Sequence, residues 1–555
     1  MGSLEAQRMN DGIRYESLGQ IDSMVPDKES GAPILPARSL RSGVGSGMIF
    51  TSPSNAEPLH ISMAQAISIG NAYQHYVDPV VKVFHCTSSW TCLANSERLE
   101  WNGEDIDLTR PPDQCLLRAI CFVTAVATEG MDLLGWPKLQ GRALIERSRA
   151  DAEALLAENN FMKTRELRVL QGFVLYLIAL QSLGEDETVW TMLGMANRIG
   201  SSFGLPQDIG EEAVIGSHRS CYRLEMERRL WWAIIALDAR ITRILGRTGY
   251  LSHNFLEIPR PANVDDSELY PAMTDMPNDR PGATEAMYVR YRATLSDVLP
   301  FIYSSGNAKE RSTGLLDMIE AAERRIEDEF VQHCDKSNPI QLLTFIAGRG
   351  YIIRVKLAMC TIFPASEDSA VSSPDASKAF RLAKESMGLF ILLWTEPSTK
   401  QWQWHWKDFF GWHTLRILVQ QIARRSVWPE IEEAWRLVKK AASLVISALK
   451  LSEEKARLVG DLRMLIEAGD LRPSEAAGST SYATGSMVPS IRPGMGTNPH
   501  NAMFPGMSSS FGEARRSADD KEGSQDPMPA EFDLKKINWQ EMDRILQQLG
   551  TYTGS

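Results

Sequence analysis

The sequence contains few cysteines, and none of them form a close pair. The seven cysteines are Cys86, Cys92, Cys115, Cys121, Cys221, Cys334 and Cys360. Thiolate ligands of zinc usually lie two to four residues apart, because one short turn must direct both sulfurs at the ion. A six-thiolate zinc cluster is therefore excluded from residues 1–85, and the odd number argues against a disulfide framework. We expect reduced, mostly buried thiols, although His85 beside Cys86 leaves a single metal site open.

An excess of basic residues is also lacking. The 555 residues include 59 Lys and Arg against 70 Asp and Glu, which gives a formal net charge of -11. The longest basic clusters are pairs such as Arg228-Arg229 and Lys439-Lys440. Affinity for nucleic acid comes mostly from neutralising phosphates with Lys and Arg, so we expect any contact with DNA to be local or indirect.

Long apolar runs and catalytic motifs are missing as well. The longest uncharged apolar stretch, from Val169 to Gly184, is too short for a membrane span and contains Gln171 and Gln181. The first residues have no apolar core of the kind found in a signal peptide. No Gly-rich phosphate loop, Gly-x-Ser-x-Gly elbow or His-Glu-x-x-His pair occurs, so the sequence predicts no enzyme class, catalytic residue, metal or cofactor.

The sequence does contain a long central region with helical spacing. Between residues 58 and 471 apolar residues recur at intervals of three and four, which predicts an all-α fold, either a large multi-helix bundle or a solenoid-like array. Residues 1–57 are rich in Ser, Gly, Pro and charge, which predicts a disordered leader. Residues 472–530 have the composition of a flexible linker.

A short amphipathic helix is predicted within residues 531–550. Asn538 can cap its first turn, with Glu541 three residues later. Its apolar face consists of Trp539, Met542, Ile545, Leu546 and Leu549. A tethered helix of this kind suits docking into a partner's groove, and packing onto the chain's own body is the alternative.

Several helix boundaries can be predicted from local signals. Asp78-Pro79 favours the start of a short helix that continues to about His85. Apolar residues recur at helical spacing in two segments, one that begins at Leu167 and one that begins at Val189, with a turn at Gly184 between them. This pattern predicts an antiparallel pair of helices, and Gly204 is the predicted C-terminal cap of the second helix.

Aromatic residues are concentrated between positions 401 and 412. Trp402, Trp404, Trp406 and Trp412 lie there with His405. Aromatic clusters can bind cations or stack on single-stranded nucleic acid. Since little Lys or Arg is interleaved, we favour a buried anchor for this segment.

Residues 227–247 give the most specific pattern. Leu230, Trp231, Ile234, Leu237 and Ile241 recur on one side of a helix, whereas Arg240, Arg243 and Arg247 follow the other side. This spacing predicts a core helix with a basic outer face. The Arg face could contact phosphate, or be solvated and paired with nearby carboxylates, and we favour the second interpretation.

The order and spacing of the residues in this region resemble those of the central regulatory domain of fungal-specific transcription factors. The resemblance rests on the signature residues Arg228, Arg229, Leu230, Trp231, Trp232, Asp238, Gly246 and Arg247, followed by Pro259-x-Pro-Ala-Asn-Val-Asp-Asp266. Further segments that fit in order are Ala72–His85, Val189-Trp-Thr191, Thr284–Tyr288 and Trp402–His413. Together they extend over roughly residues 60–450.

The resemblance implies a nuclear regulator of transcription, often one that controls a metabolic pathway or a biosynthetic gene cluster in secondary metabolism. Family members place a six-cysteine zinc cluster ahead of this domain. Without it, we expect indirect recruitment to DNA through a zinc-cluster partner. The further expected partners are a second copy of the chain as the alternative dimer partner, a coactivator, and a small-molecule effector in the helical core. The alternatives are a complete factor whose upstream exon is missing from the sequence, and a helical enzyme or ligand-binding protein on the same scaffold.

The enzyme alternative rests on Asp265 and Asp266. Paired carboxylates hold magnesium and a diphosphate in terpene cyclases, where they project from a helix into an apolar pocket. Here Pro259 and Pro261 exclude a regular helix just before them. We therefore expect a loop with turn-forming carboxylates.

Overall fold

A computed structural model describes residues 59–86, 91–92, 98–101, 104–129, 131, 139–205, 220–245, 247, 258–296, 308–362, 374–406, 412–423 and 428–448. Within these residues the fold is all-α, as the sequence predicts. The α-helices are Met63–Tyr76 (α1), Asp78–Val81 (α2), Pro111–Ala127 (α3), Gly141–Glu158 (α4), Leu167–Ser182 (α5), Asp186–Phe203 (α6), Cys221–Leu245 (α7), Met287–Ser296 (α8), Ala308–Glu329 (α9), Pro339–Ile362 (α10), Pro374–Thr395 (α11), Gln403–Trp406 (α12), Trp412–Ala423 (α13) and Trp428–Ala448 (α14).

A small antiparallel sheet, which the sequence analysis did not anticipate, lies between α2 and α3. Its strands are Thr91–Cys92 (β1), Arg98–Trp101 (β2) and Glu104–Asp107 (β3), in the order β1-β2-β3. Leu99 is paired with Ile106, which is buried in the main core. Strands of two to four residues are too short to show a recognisable alternation in the sequence.

The helix pair predicted around Gly184 is present as α5 and α6. Val169 to Ser182 is buried on every side of α5, which makes α5 a central helix of the bundle. Gly184 has φ 85°, and Gly204 ends α6 with φ 76°, a left-handed conformation that glycine adopts without strain. Both predicted turn positions are therefore confirmed.

The helix predicted from Pro79 to His85 is shorter than expected. It ends at Val81, because Lys82 has a left-handed backbone with φ 45°. Asp78 lies in the first turn, but its side chain makes no capping hydrogen bond. It forms an ion pair with Lys82 instead.

The aromatic segment anchors the end of α1, as predicted. Trp402, Trp404 and Trp406 are all buried. The indole nitrogens of Trp402 and Trp404 donate hydrogen bonds to the carbonyl oxygens of His75 and Tyr76, at 3.2 and 2.9 Å. The last carbonyl groups of a helix have no hydrogen-bond partner within the helix. The two indole N–H groups provide such partners at the C-terminal end of α1.

The described residues form one main hydrophobic core and two smaller ones. The main core includes α1, α3, α5, the middle of α7 and the three tryptophans above. A second core joins α10, α11, α13 and α14. The third lies where the start of α7 packs on the loop from Ala262 to Met273. No helix in the described part of the chain has both the length and the apolar character required to cross a bilayer.

Two glycines of α6 provide a test of how tightly α6 packs on α7. A Cβ atom at Gly200 would lie 3.0 Å from Cζ3 of the buried Trp231, whereas one at Gly194 meets nothing within 4 Å. We expect Gly200→Ala to lower the free energy of unfolding by about 1–3 kcal/mol, because the indole ring cannot yield without disturbing the core. Gly194→Ala should raise it by about 0.5–1 kcal/mol through helix propensity. Urea titrations of both variants measure the difference, and equal effects would contradict this packing.

Candidate functional site

Six of the eight signature residues, Arg228 to Trp232 and Asp238, lie on α7, and all six are buried. Leu230, Trp231 and Trp232 are no more than 1% exposed. The indole nitrogen of Trp232 donates a hydrogen bond to the carbonyl oxygen of Pro259, at 2.9 Å. This bond fixes the start of the Pro-rich segment against α7. The pattern Leu-Trp-Trp thus packs the helix into the core on more than one side.

Arg229 joins α7 to the loop that carries Asp266. Its Nε lies 2.9 Å from Oε1 of Glu225, one turn earlier on the helix. Its Nη1 lies 2.7 Å from Oδ1 of Asp266. The three side chains are at most 1% exposed. Arg229 therefore bridges two carboxylates in the interior through its fork of donors.

Asp266 is the centre of this arrangement. Its Oδ2 accepts hydrogen bonds from Lys82 Nζ and from the backbone nitrogen of Cys86, each at 2.8 Å. Its carbonyl oxygen accepts one from His85 Nε2 at 2.7 Å. These hydrogen bonds join the segment after α2 to the Asn263–Asp266 loop, which lies about 180 residues later in the chain. Asp78 completes the group, with Oδ2 2.9 Å from Lys82 Nζ. We call Asp78, Lys82, Glu225, Arg229 and Asp266 the ion cluster.

The ion cluster shifts the pKa values of its members in different directions. Burial acts to raise the pKa of Asp266, but Arg229 and Lys82 outweigh it and hold that pKa well below its usual range. Burial raises the pKa of Asp78 to about 7, although Lys82 opposes the shift. Burial also raises the pKa of Glu225, against the opposing effect of Arg229. Asp78, with a pKa of about 7, takes up a proton near neutral pH.

The stability of the protein should depend on pH through Asp78. The folded pKa near 7 lies above the unfolded value of 3.8, so the folded state binds this proton more tightly. The contribution of Asp78 is therefore present at low pH, decreases as the pH rises from about 4 to 7, and is constant above that. Asp78→Asn should gain stability relative to the natural protein across this interval. Urea unfolding at several pH values measures the gain, with exposed Asp275→Asn as the control, and parallel curves for Asp78→Asn and the natural protein would contradict the assignment.

The ion cluster has the chemistry of a structural clamp. Asp266 is fully buried, and its carboxylate is already bound by Lys82, Arg229 and a backbone nitrogen. Asp265 forms a capping box with Glu268 at a 3-10 turn and pairs with Arg280 at 2.8 Å. The expected loop with turn-forming carboxylates is confirmed. Neither carboxylate has the geometry required for a magnesium and diphosphate site.

The prediction of a basic outer face on α7 is wrong at Arg240, which is buried. Arg228, Arg240 and Asp238 are buried, since the loop after Pro259, α5, α6 and α8 surround the helix. Arg247 is partly exposed; it pairs with Glu187 at 2.6 Å and stacks over Trp190, 4.5 Å from the ring centre. The side chain of Arg243 and all of Gly246 lie outside the described residues. The helical period shows which side is apolar, but it does not show that the polar side is also covered.

A second feature is a small enclosed cavity beside Arg240. Its apolar walls come from Val81, Ile178, Ala233 and Leu237. Its polar walls come from Gln181, Arg240, Arg292 and His405. The space admits about one water molecule. We call it the arginine cavity.

Several residues of these two sites could not be recognised from the sequence. Lys82, Glu225 and Arg292 carry no sequence signal of a role, and His405 is predicted only as part of the aromatic anchor. The four-residue spacings Asp78 to Lys82 and Glu225 to Arg229 were visible, and oppositely charged residues at this spacing often pair on a helix. Nothing in the sequence shows that these pairs are buried together.

The structure describes the side chains of six cysteines, and none of these six forms a disulfide. Cys86, Cys115, Cys121 and Cys221 are buried, and Cys334 and Cys360 are partly buried. Burial raises the pKa of Cys115 and of Cys121 to about 12, so both remain protonated. The expected reduced and mostly buried thiols are confirmed for these six. Among the described residues, no group of three His, Cys, Asp or Glu side chains has the arrangement of a metal site.

Several predicted segments lie outside the described residues. They are the leader at residues 1–57, the linker at 472–530, and the helix in 531–550 with Trp539, Met542, Ile545, Leu546 and Leu549. These assignments stay predictions from the sequence.

Comparison with known proteins confirms the family resemblance. Residues 99–314 match the family model of the fungal specific transcription factor domain. The matched region runs from β2 to the start of α9 and contains Glu225, Arg229 and Asp266. Asp78 and Lys82 precede it. The part of the chain that is similar to this domain therefore includes the buried contact between Arg229 and Asp266.

The similar proteins are fungal transcription factors. The aurofusarin cluster transcription factor aurR2 of Gibberella zeae is 24% identical over 449 residues, 78% of this chain and 64% of that protein. The C6 finger domain transcription factor nscR of Aspergillus fumigatus is 23% identical over 402 residues, 66% of this chain and 49% of that protein. The pyriculol/pyriculariol biosynthesis cluster transcription factor 1 of Pyricularia oryzae is 22% identical over 428 residues, 73% of this chain and 54% of that protein. The chain spans about half to two thirds of their length. No solved structure matches it.

Proposed function

We propose that this chain, which contains a fungal specific transcription factor domain at residues 99–314, regulates transcription of a fungal biosynthetic pathway from within the nucleus. The observation that carries the proposal is the family match together with relatives named as cluster transcription factors. The same relatives argue against an enzyme. The ion cluster supports a regulatory scaffold, because its charged groups bind each other and hold α7, the Asp266 loop and the α2 segment in one fixed arrangement.

The helical body is proposed to reach DNA through another protein. Arg240, which the sequence predicts on a basic face, is buried, and so are the neighbouring Arg228 and Arg229. The net charge of -11 also opposes general attraction to phosphate. A zinc-cluster protein that pairs with this chain would supply the DNA contact. The relative named a C6 finger domain transcription factor favours a zinc cluster as the module that binds DNA, either on a partner or on a longer form of this chain.

Deletion of the gene, followed by RNA sequencing, tests the regulatory role. We expect a coordinated change in the transcripts of one biosynthetic cluster, restored by the natural gene. A gene with Arg229→Met should fail to restore it, whereas Arg324→Met, which removes an exposed arginine, should restore it fully. An unchanged transcriptome, or turnover of a pathway intermediate by the purified protein, would contradict the proposal. Crosslinking of the tagged protein to chromatin, with and without candidate zinc-cluster partners, then separates indirect from direct contact with DNA.

We propose further that the predicted C-terminal helix docks into a coactivator or a partner subunit. Its apolar residues, Trp539 and Ile545 among them, lie on one face in the sequence pattern. Replacing both by alanine should reduce activation of a reporter several-fold and leave the melting temperature of the protein nearly unchanged. A large drop in melting temperature would mean that the helix packs on its own body instead.

A further inference from the structure

The outer side of α6 carries three features that no contact within the described part of the chain explains. The helix buries Val189, Leu193 and Ala196 against its neighbours, so its opposite side faces solvent. On that side lie an exposed tryptophan, a glycine in the middle of the helix and, near its end, an exposed arginine. Together they indicate that another molecule covers this side.

The tryptophan, Trp190, is 37% exposed and is held in a fixed position. The guanidinium group of Arg247 stacks on its ring, 4.5 Å from the ring centre. The two carboxylate oxygens of Glu187 accept hydrogen bonds from the same guanidinium group, at 2.6 and 2.9 Å. Tryptophan and arginine are enriched among the residues that contribute most to binding at protein interfaces. A ring that is already held in place also loses little conformational entropy when a partner covers it.

The glycine, Gly194, lies one turn after Trp190. A glycine inside a helix destabilises it relative to alanine, so its presence calls for a packing reason. At Gly200 that reason is the close contact with Trp231, whereas a Cβ atom at Gly194 would meet nothing within 4 Å. A glycine on the outer side of a helix allows another backbone to approach closely. Gly194 thus favours a helix of a second molecule at this position.

The charges along this side have opposite signs at its two ends. Glu187, Thr191, Gly194 and Arg198 follow one another at intervals of four, three and four residues, so they form one line along α6. The side chain of Glu187 is 65% exposed. Arg198 is exposed, and it forms no ion pair in the part of the chain that the structure describes. A second α6 that packs antiparallel on this line brings Glu187 of each copy to Arg198 of the other, whereas parallel packing brings like charges together.

We propose that two copies of this chain form a dimer in which the outer sides of their α6 helices pack antiparallel about a two-fold axis. The same surface then serves both copies, as a two-fold interface requires. Gly194 allows the close approach, Trp190 adds apolar contact, and two ion pairs between Glu187 and Arg198 set the register. Arg247 already binds Glu187, but a carboxylate has lone pairs for further donors.

The interface expected from one pair of helices is small. α6 has 18 residues and is therefore about 27 Å long. An interface of this length lies at the low end of specific contacts, below about 1,200 Å² of buried surface. We therefore expect a reversible dimer with a dissociation constant in the micromolar range.

Sedimentation velocity of the full chain over a range of concentrations tests the proposal. The natural protein should change from monomer to dimer in the micromolar range. Arg198→Glu places like charges at both ends of the interface and should raise the dissociation constant at least about tenfold. Gly194→Gln should have a similar effect through its bulk. Because glutamine favours a helix and Gly194 has open space around it, the melting temperature of the dilute variant should not fall. Arg324→Glu, at an exposed arginine of α9, changes the net charge equally and should leave the dissociation constant unchanged.

A mixing experiment tests the antiparallel register. Glu187→Lys alone should also weaken self-association, because its ammonium group would face Arg198 of the second copy. It also breaks the exposed pair with Arg247, which costs little stability. When this variant is mixed with Arg198→Glu, a mixed dimer should form, in which one ion pair is natural and the other has its charges exchanged.

Three results would overturn the proposal. One is a natural protein that stays monomeric well above the micromolar range. Another is a dimer whose dissociation constant does not change in Arg198→Glu or in Gly194→Gln, which would place the interface elsewhere. The third is the absence of a mixed dimer from the two charge variants. The transcriptional role does not depend on this dimer, and its test by gene deletion has a separate readout.

Discussion

Replacement of Arg229 by methionine is expected to lower the free energy of unfolding by about 3–5 kcal/mol. Methionine has a similar length but no charge, so Glu225 would lose its buried cation and Asp266 one of its two. Lys82 can still compensate Asp266, but Glu225 would keep mainly the backbone nitrogen of Ala262, at 3.1 Å. A buried charge without a partner is among the most destabilising defects that a single substitution creates. Urea unfolding of the purified variant measures the loss.

Arg324 provides a matched control for this experiment. It follows Glu320 by four residues on α9, the same order and spacing as Glu225 and Arg229 on α7, but its side chain is 69% exposed. Exposed pairs contribute about 0–1 kcal/mol, so Arg324→Met should have little effect. Similar losses for the two variants would show that the ion cluster contributes no more than a surface pair. Arg229→Lys should give an intermediate loss, because one ammonium group cannot reach both carboxylates with a planar fork.

Asp266→Asn is the second substitution for which we expect a large effect, a loss of about 3–5 kcal/mol. The side chains are nearly equal in size, so the change removes charge without creating a cavity. Lys82 and Arg229 would then face each other, with Asp78, Glu225 and the half-exposed Glu285 as the remaining counter-charges. Since the amide group cannot take the place of a carboxylate that accepts from three donors, at least one hydrogen bond is also lost.

The sign of the pH dependence gives a further check on Asp266. Its folded pKa lies well below the unfolded value, so its contribution is present above about pH 4 and is lost as the pH falls below that. The difference between the natural protein and Asp266→Asn should therefore shrink in acid. Asp265→Asn alters the neighbouring carboxylate, which is 38% exposed and paired with an exposed arginine. That control should cost about 1 kcal/mol or less, and a larger loss at Asp265 than at Asp266 would be evidence against the cluster.

Much of the fold could be predicted because local signals agree with the final structure. The apolar spacing in α5, the turn at Gly184 and the cap at Gly204 each depend on residues within one or two turns. The tryptophans at 402–406 were identified as an anchor, since so much aromatic area with so little charge favours burial. The family resemblance also depended on short motifs, and comparison confirmed it.

The ion cluster and the cavity could not be predicted, because their geometry depends on distant contacts. Asp266 has the sequence context of a loop carboxylate, and it becomes buried only when Lys82 and Arg229 reach it from segments 184 and 37 residues away. The polar side of α7 was expected to be solvated, and α8 and the Pro-rich loop cover it instead. α2 ends early because the backbone of Lys82 is left-handed and directs the chain toward Asp266. Residues other than glycine rarely adopt this conformation, so the sequence does not predict it.

The hydrogen bonds from Trp402 and Trp404 to the end of α1 affect the order in which the chain can mature during synthesis. They join residues that are 327 and 328 positions apart. At about 5–20 residues per second, a ribosome needs roughly 15–65 s to reach the tryptophans after α1 has been made. During that interval the carbonyl oxygens of His75 and Tyr76 and the apolar side of α1 are without these partners. Nascent α1 is therefore a segment that we expect molecular chaperones to hold until the aromatic anchor emerges.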